Sequence, residues 1–112
     1  MQPFTEKVVE IIKNIPEGKV MTYGQIAKAA GSPRAARQVV RALHSMSRKY
    51  SLPWHRVVNS KGKIALQDDE SYHEQLFSLE SEGVEIGIEG KIDLTKYQYH
   101  PSESDGDAHF FQ

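Results

Sequence analysis

Cysteine is absent from this sequence. Without it the chain has no disulfide, no thiolate nucleophile and no cysteine-ligated metal. Long hydrophobic runs are also absent, since no apolar stretch approaches the roughly 18 residues that a membrane span needs and no charged-then-apolar leader is present. We therefore expect a soluble intracellular protein without membrane association, and 112 residues suffice for one domain with a modest core.

Acidic residues are missing from a long internal stretch. Residues 18–63 carry five Lys and five Arg but no Asp or Glu, whereas residues 64–112 carry two Lys and twelve acidic residues. The formal net charge of −1 therefore conceals two blocks of opposite sign. A positively charged face most commonly binds the phosphate backbone of a nucleic acid. The alternative is a solvated face with an accidental bias in composition.

Two helices are predicted in the first third of the chain. Apolar residues at helical spacing indicate a helix over residues 3–14, and the turn sequence at residues 16–18 ends it. Thr22 and Gln25 have the form of a capping box, so a second helix is predicted from there to Gly31. The apolar stripe of the first helix is assigned to the core.

A third helix is predicted to begin with Ser32 as its N-cap and Pro33 in its first turn. One of its faces is apolar and is predicted to face the core: Ala36, Val39, Val40 and Leu43. Another face is basic: Arg34, Arg37, Arg41 and His44. Two short helices joined by a glycine turn are typical of a helix-turn-helix, whose second member usually enters a DNA groove.

Small residues at the start of the third helix indicate how it approaches DNA. Ala35 and Ala36 lack side-chain bulk, which lets the backbone come close, and an arginine beside them can reach into a narrow groove. A helix that reads bases in the major groove would more often offer Asn, Gln or Ser near its start. The pattern therefore favours sequence-independent binding on the minor-groove side. A surface helix with solvated arginines is the alternative.

After the third helix, residues 45–52 are predicted to form a polar loop that offers Arg48 and Lys49 to phosphates. A turn sequence follows the two valines at residues 57–58. Residues 63–66 are therefore predicted to pair back on those valines as a small hairpin.

The acidic half of the chain is predicted to hold one helix and one hairpin. Ser71 and Glu74 form a second capping box, and the helix that they start is predicted to end at Gly83. Its buried face is predicted to consist of Leu76, Phe77 and Leu79. Apolar residues alternate over residues 84–94 and predict a terminal hairpin. Residues 101–112 form an acidic tail that is predicted to be disordered.

These elements predict a mainly α fold with small β hairpins, in a single domain over residues 1–100 that contains a helix-turn-helix. The only tryptophan, Trp54, lies between the basic and acidic blocks and directly follows Pro53. Proline restricts the backbone on both sides, so the tryptophan is presented from a stiff segment. A large aromatic side chain in this setting either belongs to the core or lines a pocket.

Three motifs stand in order along the chain. They are Thr22-Tyr23-Gly24-Gln25-Ile26-Ala27, Gly31-Ser32-Pro33-Arg34-Ala35-Ala36-Arg37 and Pro53-Trp54-His55-Arg56-Val57-Val58. Together they resemble the DNA-binding domain of the O6-alkylguanine-DNA alkyltransferases over roughly residues 3–95. The resemblance implies a winged-helix-like domain, as in the alkyltransferase C-terminal domain. Those enzymes carry Pro-Cys-His-Arg-Val, and a tryptophan in place of the cysteine resembles the alkyltransferase-like proteins, the non-catalytic branch.

The missing cysteine also decides the chemistry. Removal of an alkyl group from guanine O6 needs a soft anionic nucleophile in line with the alkyl carbon, and a thiolate serves this purpose. Trp54 cannot act in this way, and the chain has no other cysteine to replace it. The sequence therefore excludes direct alkyl transfer, and we expect no catalytic residue, no metal and no cofactor.

The resemblance implies roles for residues of the two DNA-facing helices. Arg37 matches the arginine that enters the base stack in place of the extruded nucleotide, and Tyr23 matches the tyrosine that crowds the 3′ phosphate of the target. Ala35 and Ala36 match the small residues that rest in the minor groove. The predicted DNA-binding set is Thr22, Tyr23, Ser32, Arg34, Ala35, Ala36, Arg37 and Arg41.

A lesion pocket is predicted around Trp54. By resemblance, His55, Arg56 and Glu82 match the polar network that activates the thiolate in the enzymes. Without a thiol this network would keep a structural or base-contacting role. The predicted pocket set is Pro53, Trp54, His55, Arg56, Tyr23, Gln67 and Glu82.

One position departs from the family pattern. Alkyltransferase-like proteins place an arginine over the lesion, but Gln67 stands near that position and no arginine follows Arg56. A cation–π lid from this loop is therefore impossible, and its loss is expected to cost roughly 0.5–2 kcal/mol. The acidic residues 68–70 make the rim acidic, and Tyr72 is the candidate for covering the pocket instead.

The sequence thus predicts a non-enzymatic sensor of O6-alkylguanine in double-stranded DNA. By resemblance it would flip the base into the pocket and hand the site to nucleotide-excision repair proteins. We expect a monomer, cytoplasmic and nucleoid-associated in a bacterium or nuclear in a eukaryote. Two alternatives stay open. One is a general helix-turn-helix DNA-binding or architectural protein without lesion specificity, and the other is an enzyme, such as a base hydrolase, that uses His55 and Glu82 on water.

Overall fold

Three α-helices pack around one hydrophobic cluster in the computed structural model, which describes residues 2–101. They are α1 (Pro3–Lys13), α2 (Tyr23–Ala29) and α3 (Ala36–Tyr50). All three contribute fully buried side chains to this first cluster: Val8, Ile12, Ile26, Ala27 and Val39. The predicted first helix is confirmed to within one residue, since it ends at Lys13.

The predicted capping box at the start of α2 is confirmed. Gln25 N–H donates to the Thr22 hydroxyl at 3.1 Å, and Thr22 N–H donates to the Gln25 side-chain oxygen at 3.2 Å. These reciprocal bonds satisfy two backbone donors that the first helical turn would otherwise leave without partners. Thr22 is buried, and Tyr23 is the first residue of α2.

The prediction that Ser32 caps α3 is wrong. The Ser32 carbonyl accepts a hydrogen bond from Ala35 N–H at 2.9 Å, so the residues between them form a separate turn. Ala35 is the N-cap, and the helix begins at Ala36. Arg34 therefore lies in the turn before the helix, while α2, this turn and α3 together form the predicted helix-turn-helix.

The predicted polar loop over residues 45–52 is also wrong, because α3 continues to Tyr50. Within this stretch the Ser45 hydroxyl donates to the Arg41 carbonyl one turn earlier, at 3.0 Å, which satisfies the hydroxyl inside the helix. Met46 and Tyr50 pack against the first cluster. The apolar periodicity of α3 therefore extends through a segment that is mainly polar.

A pair of two-residue strands connects the two halves of the molecule. β1 (Met21–Thr22) and β2 (Val57–Val58) run parallel to each other. The predicted hairpin between the two valines and residues 63–66 is therefore wrong. Lys63 instead forms an isolated antiparallel bridge with Lys91.

The strand pair lies between two hydrophobic clusters. Met21 and Val57, which are partners in the register, face the first cluster, whereas Val20 and Val58 face the second. The second cluster draws mainly on the acidic half of the chain: Val20, Val58, Ile64, Leu79, Val84, Ile92 and Tyr97. The strands thereby join the helical half to the C-terminal half.

The last long helix, α4 (Asp69–Ser81), begins earlier than predicted. Asp68 is its N-cap and accepts a hydrogen bond from Ser71 N–H at 2.9 Å, so Ser71 lies inside the helix. The prediction of a buried Phe77 is wrong, because Phe77 is 73% exposed while Gln75 is buried. The other two residues of the predicted face pack in the second cluster: Leu76 and Leu79.

The predicted terminal hairpin is present as a single antiparallel bridge between Ile86 and Ile92. A 3-10 turn (Ile88–Gly90) joins its two sides, and α5 (Leu94–Tyr97) replaces the end of the predicted second strand. The predicted tail lies outside the described residues, apart from Pro101. No helix in the described part of the chain is long and apolar enough to cross a membrane.

Candidate nucleic-acid interface

Trp54 begins a 3-10 turn (Trp54–Arg56) that leads directly into β2. It lines an open cleft of about 770 Å³ between α3 and α4. The side chain is partly buried and also packs against the first cluster. The structure therefore combines the two alternatives for this tryptophan, since it borders both the core and the cleft.

The cleft has two main walls. Residues of α3 form the first wall: Val40, Leu43, His44, Ser47 and Arg48. Residues of α4 form the second wall: Ser71, Glu74 and Gln75. The rest of the lining lies near Trp54 and consists of Tyr23, Ser51, Leu52, Val57 and Leu66. The prediction that Val40 faces the core is wrong, since it is 45% exposed at the cleft.

Arginines dominate the exposed surface of α3 and the turn before it. Arg37 and Arg41 are exposed on the helix, and Arg34 is exposed in the preceding turn. Within residues 2–101, none of these three forms a salt bridge with an acidic side chain. Their charges are therefore available to phosphate groups of a partner.

The remaining members of the predicted DNA-binding set differ in accessibility. Ser32 is exposed, and Ala35 and Ala36 are half-buried at the start of α3. Thr22 is only 7% exposed, because its hydroxyl and backbone are used in the capping box. Little of the Thr22 side chain is therefore accessible to DNA.

Tyr23 faces the cleft from the first turn of α2. Burial raises the pKa of its hydroxyl above the ordinary value, so the group remains protonated at neutral pH. A protonated phenol can donate a hydrogen bond to a phosphate oxygen.

His55 and Arg56 extend from the same turn as Trp54 but bind Glu82. Arg56 donates to both carboxylate oxygens of Glu82, with Nε at 3.0 Å from Oε1 and Nη2 at 2.7 Å from Oε2. His55 Nε2 lies 2.6 Å from Oε2. Gly18 N–H donates to Oε1 at 2.9 Å, and Arg56 Nη1 also donates to the Ile15 carbonyl at 2.9 Å. This cluster ties the end of α4 and the turn after α1 to the Trp54 segment.

The Glu82 carboxylate is held in its charged form. Partial burial alone would raise its pKa, but hydrogen bonds from Arg56, Gly18 N–H and His55 outweigh that effect and lower the pKa to about 2. The side chain is only 9% exposed. A carboxylate with so low a pKa and this many donors is a weak general base at neutral pH.

Gln75 supplies a second buried connection between α4 and the Trp54 segment. Its side-chain nitrogen donates to the carbonyls of His55 and Val57, both at 3.0 Å. The two bonds fix the backbone on either side of Arg56. Because Gln75 also borders the cleft, α4 positions Trp54 as well as forming a wall.

Several residues of the predicted pocket set lie outside the cleft lining. His55, Arg56 and Glu82 are drawn away by their mutual contacts, and Pro53 serves as the N-cap residue of the 3-10 turn. Gln67 is exposed outside the lining, which its neighbour Leu66 joins instead. The physical reason is that His55 and Arg56 bond to Glu82, whereas Trp54 lines the cleft with residues of α3.

Tyr72 does not cover the cleft, contrary to the prediction. Its ring packs against the second cluster, and its hydroxyl lies against Gly90, where a β-carbon would come within 2.5 Å of it. Gly90 has a φ of +71° and accommodates this close approach. The side chain of Tyr72 therefore packs within the C-terminal half of the fold.

Residues 3–84 match a family model described as the 6-O-methylguanine DNA methyltransferase, DNA binding domain. The chain belongs to this family. A DNA base-flipping protein of Vibrio parahaemolyticus is 46% identical over 101 residues, which cover 90% of this chain and 100% of the relative. Alkyltransferase-like protein 1 of Schizosaccharomyces pombe (Atl1) is 42% identical over 106 residues, which cover 90% of this chain and 98% of the relative.

A solved structure gives the same assignment. A crystal structure of S. pombe Atl1 in complex with damaged DNA containing O6-carboxymethylguanine matches with a TM-score of 0.81 and 42% identity, covering 90% of this chain and 98% of the other. The predicted fold class is confirmed as a mostly helical small domain with a two-stranded sheet. The chain is an alkyltransferase-like, DNA-binding protein without the acceptor cysteine, and so not an alkyltransferase.

Sequence reasoning missed most of the α4 wall of this alkyltransferase-like domain. One signal was available for Gln75, which lies four residues before Leu79 and so on the same side of the helix as that buried residue. For Ser71 and Glu74 no local signal exists, because their position depends on how α4 packs against a distant segment.

Proposed function

We propose that this protein is a non-enzymatic sensor of O6-alkylguanine in double-stranded DNA. In this proposal α3 enters the minor groove, Arg37 fills the space of the extruded nucleotide, and the modified base turns into the cleft beside Trp54. One observation carries the proposal. By resemblance, Trp54 occupies the position of the acceptor cysteine, and it borders an open cleft of about 770 Å³ beside an arginine-rich helix.

Base flipping is energetically reasonable for this type of lesion. Guanine alkylated at O6 pairs poorly, so its extrusion costs less than the few kcal/mol that a normal base requires. Trp54, Val40 and Leu66 supply apolar surface in the cleft. Burial of an alkyl group against such surface contributes about 0.8 kcal/mol per CH₂.

Two relatives support the proposal. S. pombe Atl1 has been crystallised with damaged DNA that contains O6-carboxymethylguanine, and the V. parahaemolyticus relative is named a DNA base-flipping protein. Their identities of 42% and 46% to this chain, over 90% of its length, make a shared mode of DNA binding the simplest hypothesis.

We propose further that the protein acts as a monomer and passes the flipped lesion to nucleotide-excision repair proteins. The cleft and the exposed arginines of α3 belong to one chain, so one copy can engage the duplex. The chain has no thiol that could take the alkyl group, and Glu82 is a weak base. Repair would then need another protein, in the bacterial cytoplasm or the eukaryotic nucleus according to the source.

The experiment is a titration of the protein against short labelled duplexes with and without one O6-methylguanine, at a fixed salt concentration. We expect affinity at least about tenfold higher for the lesioned duplex, equivalent to about 1.4 kcal/mol. Mass spectrometry of the recovered DNA should show that the lesion is unaltered. Equal affinities would leave a general helix-turn-helix binder, and a removed alkyl group or base would indicate an enzyme.

A matched pair of variants locates the binding site. Trp54→Leu should reduce the preference for lesioned DNA while affinity for plain DNA stays unchanged. Phe77→Leu, the same kind of change at an exposed aromatic residue outside the cleft lining, should alter neither affinity. If both variants kept the full lesion preference, the cleft beside Trp54 would not be the lesion pocket.

A further inference from the structure

The α4 wall of the cleft carries negative charge. Glu74 lines the cleft beside Ser71, one turn after the start of the helix. The segment just before it holds three more carboxylates at residues 68–70. From residue 64 to residue 90 the sequence contains no Lys or Arg, so the wall lacks compensating cations of its own.

Glu74 is also not neutralised by other parts of the protein. Its side chain is exposed, and it takes part in none of the salt bridges or side-chain hydrogen bonds found within residues 2–101. Its charge therefore acts on whatever group enters the cleft. An entering group that displaces water from the cleft strengthens this interaction, because the local dielectric constant falls.

The N-terminus of α4 does not offset this charge. A helix N-terminus ordinarily attracts anions through its free N–H groups and its dipole. Here the Asp68 carboxylate already accepts the Ser71 N–H at 2.9 Å, and Asp69 and Glu70 occupy the first turn. Hydrogen bonds from Ser71 lower the pKa of Asp68, so its charge persists to acidic pH.

The opposite wall carries Arg48 on α3, the one arginine or lysine among the cleft-lining residues in the described part of the chain. In the proposed complex α3 faces the DNA, and an exposed arginine there is drawn to phosphate groups. Once Arg48 is paired with a phosphate, the carboxylate of Glu74 is the remaining full charge of the lining that an alkyl group meets.

We propose that Glu74 makes the cleft selective for uncharged or cationic O6-alkyl groups and against alkyl groups that end in a carboxylate. The inference rests on the proposed function, since it assumes that the modified guanine enters this cleft. The disfavoured class includes O6-carboxymethylguanine, the adduct in the crystallised complex of S. pombe Atl1.

The test compares four duplexes that differ at one base: guanine, O6-propylguanine, O6-carboxymethylguanine and O6-(2-aminoethyl)guanine. Propyl and carboxymethyl groups are similar in size but differ in polarity as well as in charge. The contribution of Glu74 is therefore measured by how far the ratio of their affinities changes when the Glu74 charge is removed. For the unmodified protein we expect carboxymethyl to bind about tenfold more weakly than propyl, and aminoethyl at least as tightly as propyl. The difference should shrink as salt is raised, because exposed charges are screened.

The decisive variant is Glu74→Gln, which keeps the shape of the side chain and removes its charge. We expect it to lower the ratio of propyl to carboxymethyl affinity several-fold, because the repulsion between Glu74 and the carboxymethyl carboxylate is removed. Glu80→Gln is the matched control, because it makes the same change at an exposed residue of α4 outside the cleft lining. The control should keep the tenfold ratio.

Two results would overturn the inference while leaving the proposed function intact. The first is equal affinity of the unmodified protein for the propyl and carboxymethyl duplexes, both above guanine. The second is an unchanged ratio in Glu74→Gln. If no alkylated duplex bound more tightly than the guanine duplex, the proposed function itself would fail and the inference with it.

Discussion

The two helices that wall the cleft contact the rest of the molecule in opposite ways. The polar side chains of α3 are mostly exposed, with Arg37 and Arg41 free of salt bridges within residues 2–101. The polar contacts of α4 are internal, since Gln75 and the C-cap residue Glu82 both bond to the Trp54 segment. Similar residue types are thus exposed on one wall and held by internal contacts on the other.

Arginine shows this difference most clearly. Arg56 has four hydrogen bonds, to Glu82 and to the Ile15 carbonyl, and its side chain is 16% exposed. Arg37 has none of these contacts and is exposed. We therefore expect changes on the α4 side to lower the free energy of unfolding and changes on the α3 side to lower DNA affinity.

The largest expected effect is that of Glu82→Gln. It leaves the partly buried Arg56 guanidinium without its counter-charge and should lower the free energy of unfolding by about 3 kcal/mol. Urea unfolding followed by Trp54 fluorescence measures the change. Glu80→Gln, an exposed neighbour on α4, is the control and should stay within about 0.5 kcal/mol. Equal losses in both variants would contradict the structural role of Glu82.

The pH dependence of stability tests the charge of Glu82 in the same cluster. The pKa of Glu82 is lowered from 4.5 to about 2, so its contribution is complete above pH 4.5 and is lost as the pH falls from there toward 2. The original protein should therefore lose stability more steeply across this window than Glu82→Gln does. Parallel curves for the two proteins would show that Glu82 titrates normally.

Arg37→Ala is expected to have the next largest effect, and it acts on binding. If Arg37 fills the space of the extruded base, its removal should weaken binding to O6-methylguanine DNA by about 2 kcal/mol, or about 30-fold. Binding to plain DNA should weaken less, and the free energy of unfolding should hardly change. If binding to both duplexes weakened equally, Arg37 would be only a phosphate contact. If Arg37→Ala lowered the free energy of unfolding as much as Glu82→Gln does, the two walls would not differ in the way described.

The smallest effect is expected for Arg41→Gln. Loss of one phosphate contact should reduce the slope of log K against log salt by about one, equally for lesioned and plain duplexes. The measurement is a titration at several salt concentrations. Lys91→Gln removes one exposed cation from the acidic half of the chain and should leave the slope unchanged. An effect confined to the lesioned duplex would instead assign Arg41 to the cleft.

The features that could be predicted from the sequence depend on near neighbours. The capping box of Thr22 and Gln25 and the first helix involve residues three or four positions apart, which a short pattern reveals. The pocket position of Trp54 was reached through the family motif rather than through periodicity. The start of α3 was missed because Ser32-Pro33 suits a tight turn as well as a helix start, and here the turn forms.

The features that could not be predicted depend on distant partners. Gly18 and Glu82 are 64 positions apart, and no local pattern indicates that they bond. The parallel pairing of Val57 and Val58 with residues 21–22 likewise spans most of the domain. Phe77 is exposed and Gln75 is buried, because the buried face of α4 includes a polar side chain that hydrogen-bonds to a distant segment. Hydrophobicity alone does not indicate such a position.

The short parallel strand pair has a consequence for how this chain can vary in length. Tyr23 directly follows β1, and Trp54 lies three residues before β2. The strand register therefore sets the separation of these two aromatic residues, whatever the length of the connections at residues 30–35 and 51–53. Insertions in those connections are compatible with an unchanged cleft, whereas one residue added between Trp54 and Val57 would shift the tryptophan relative to Tyr23.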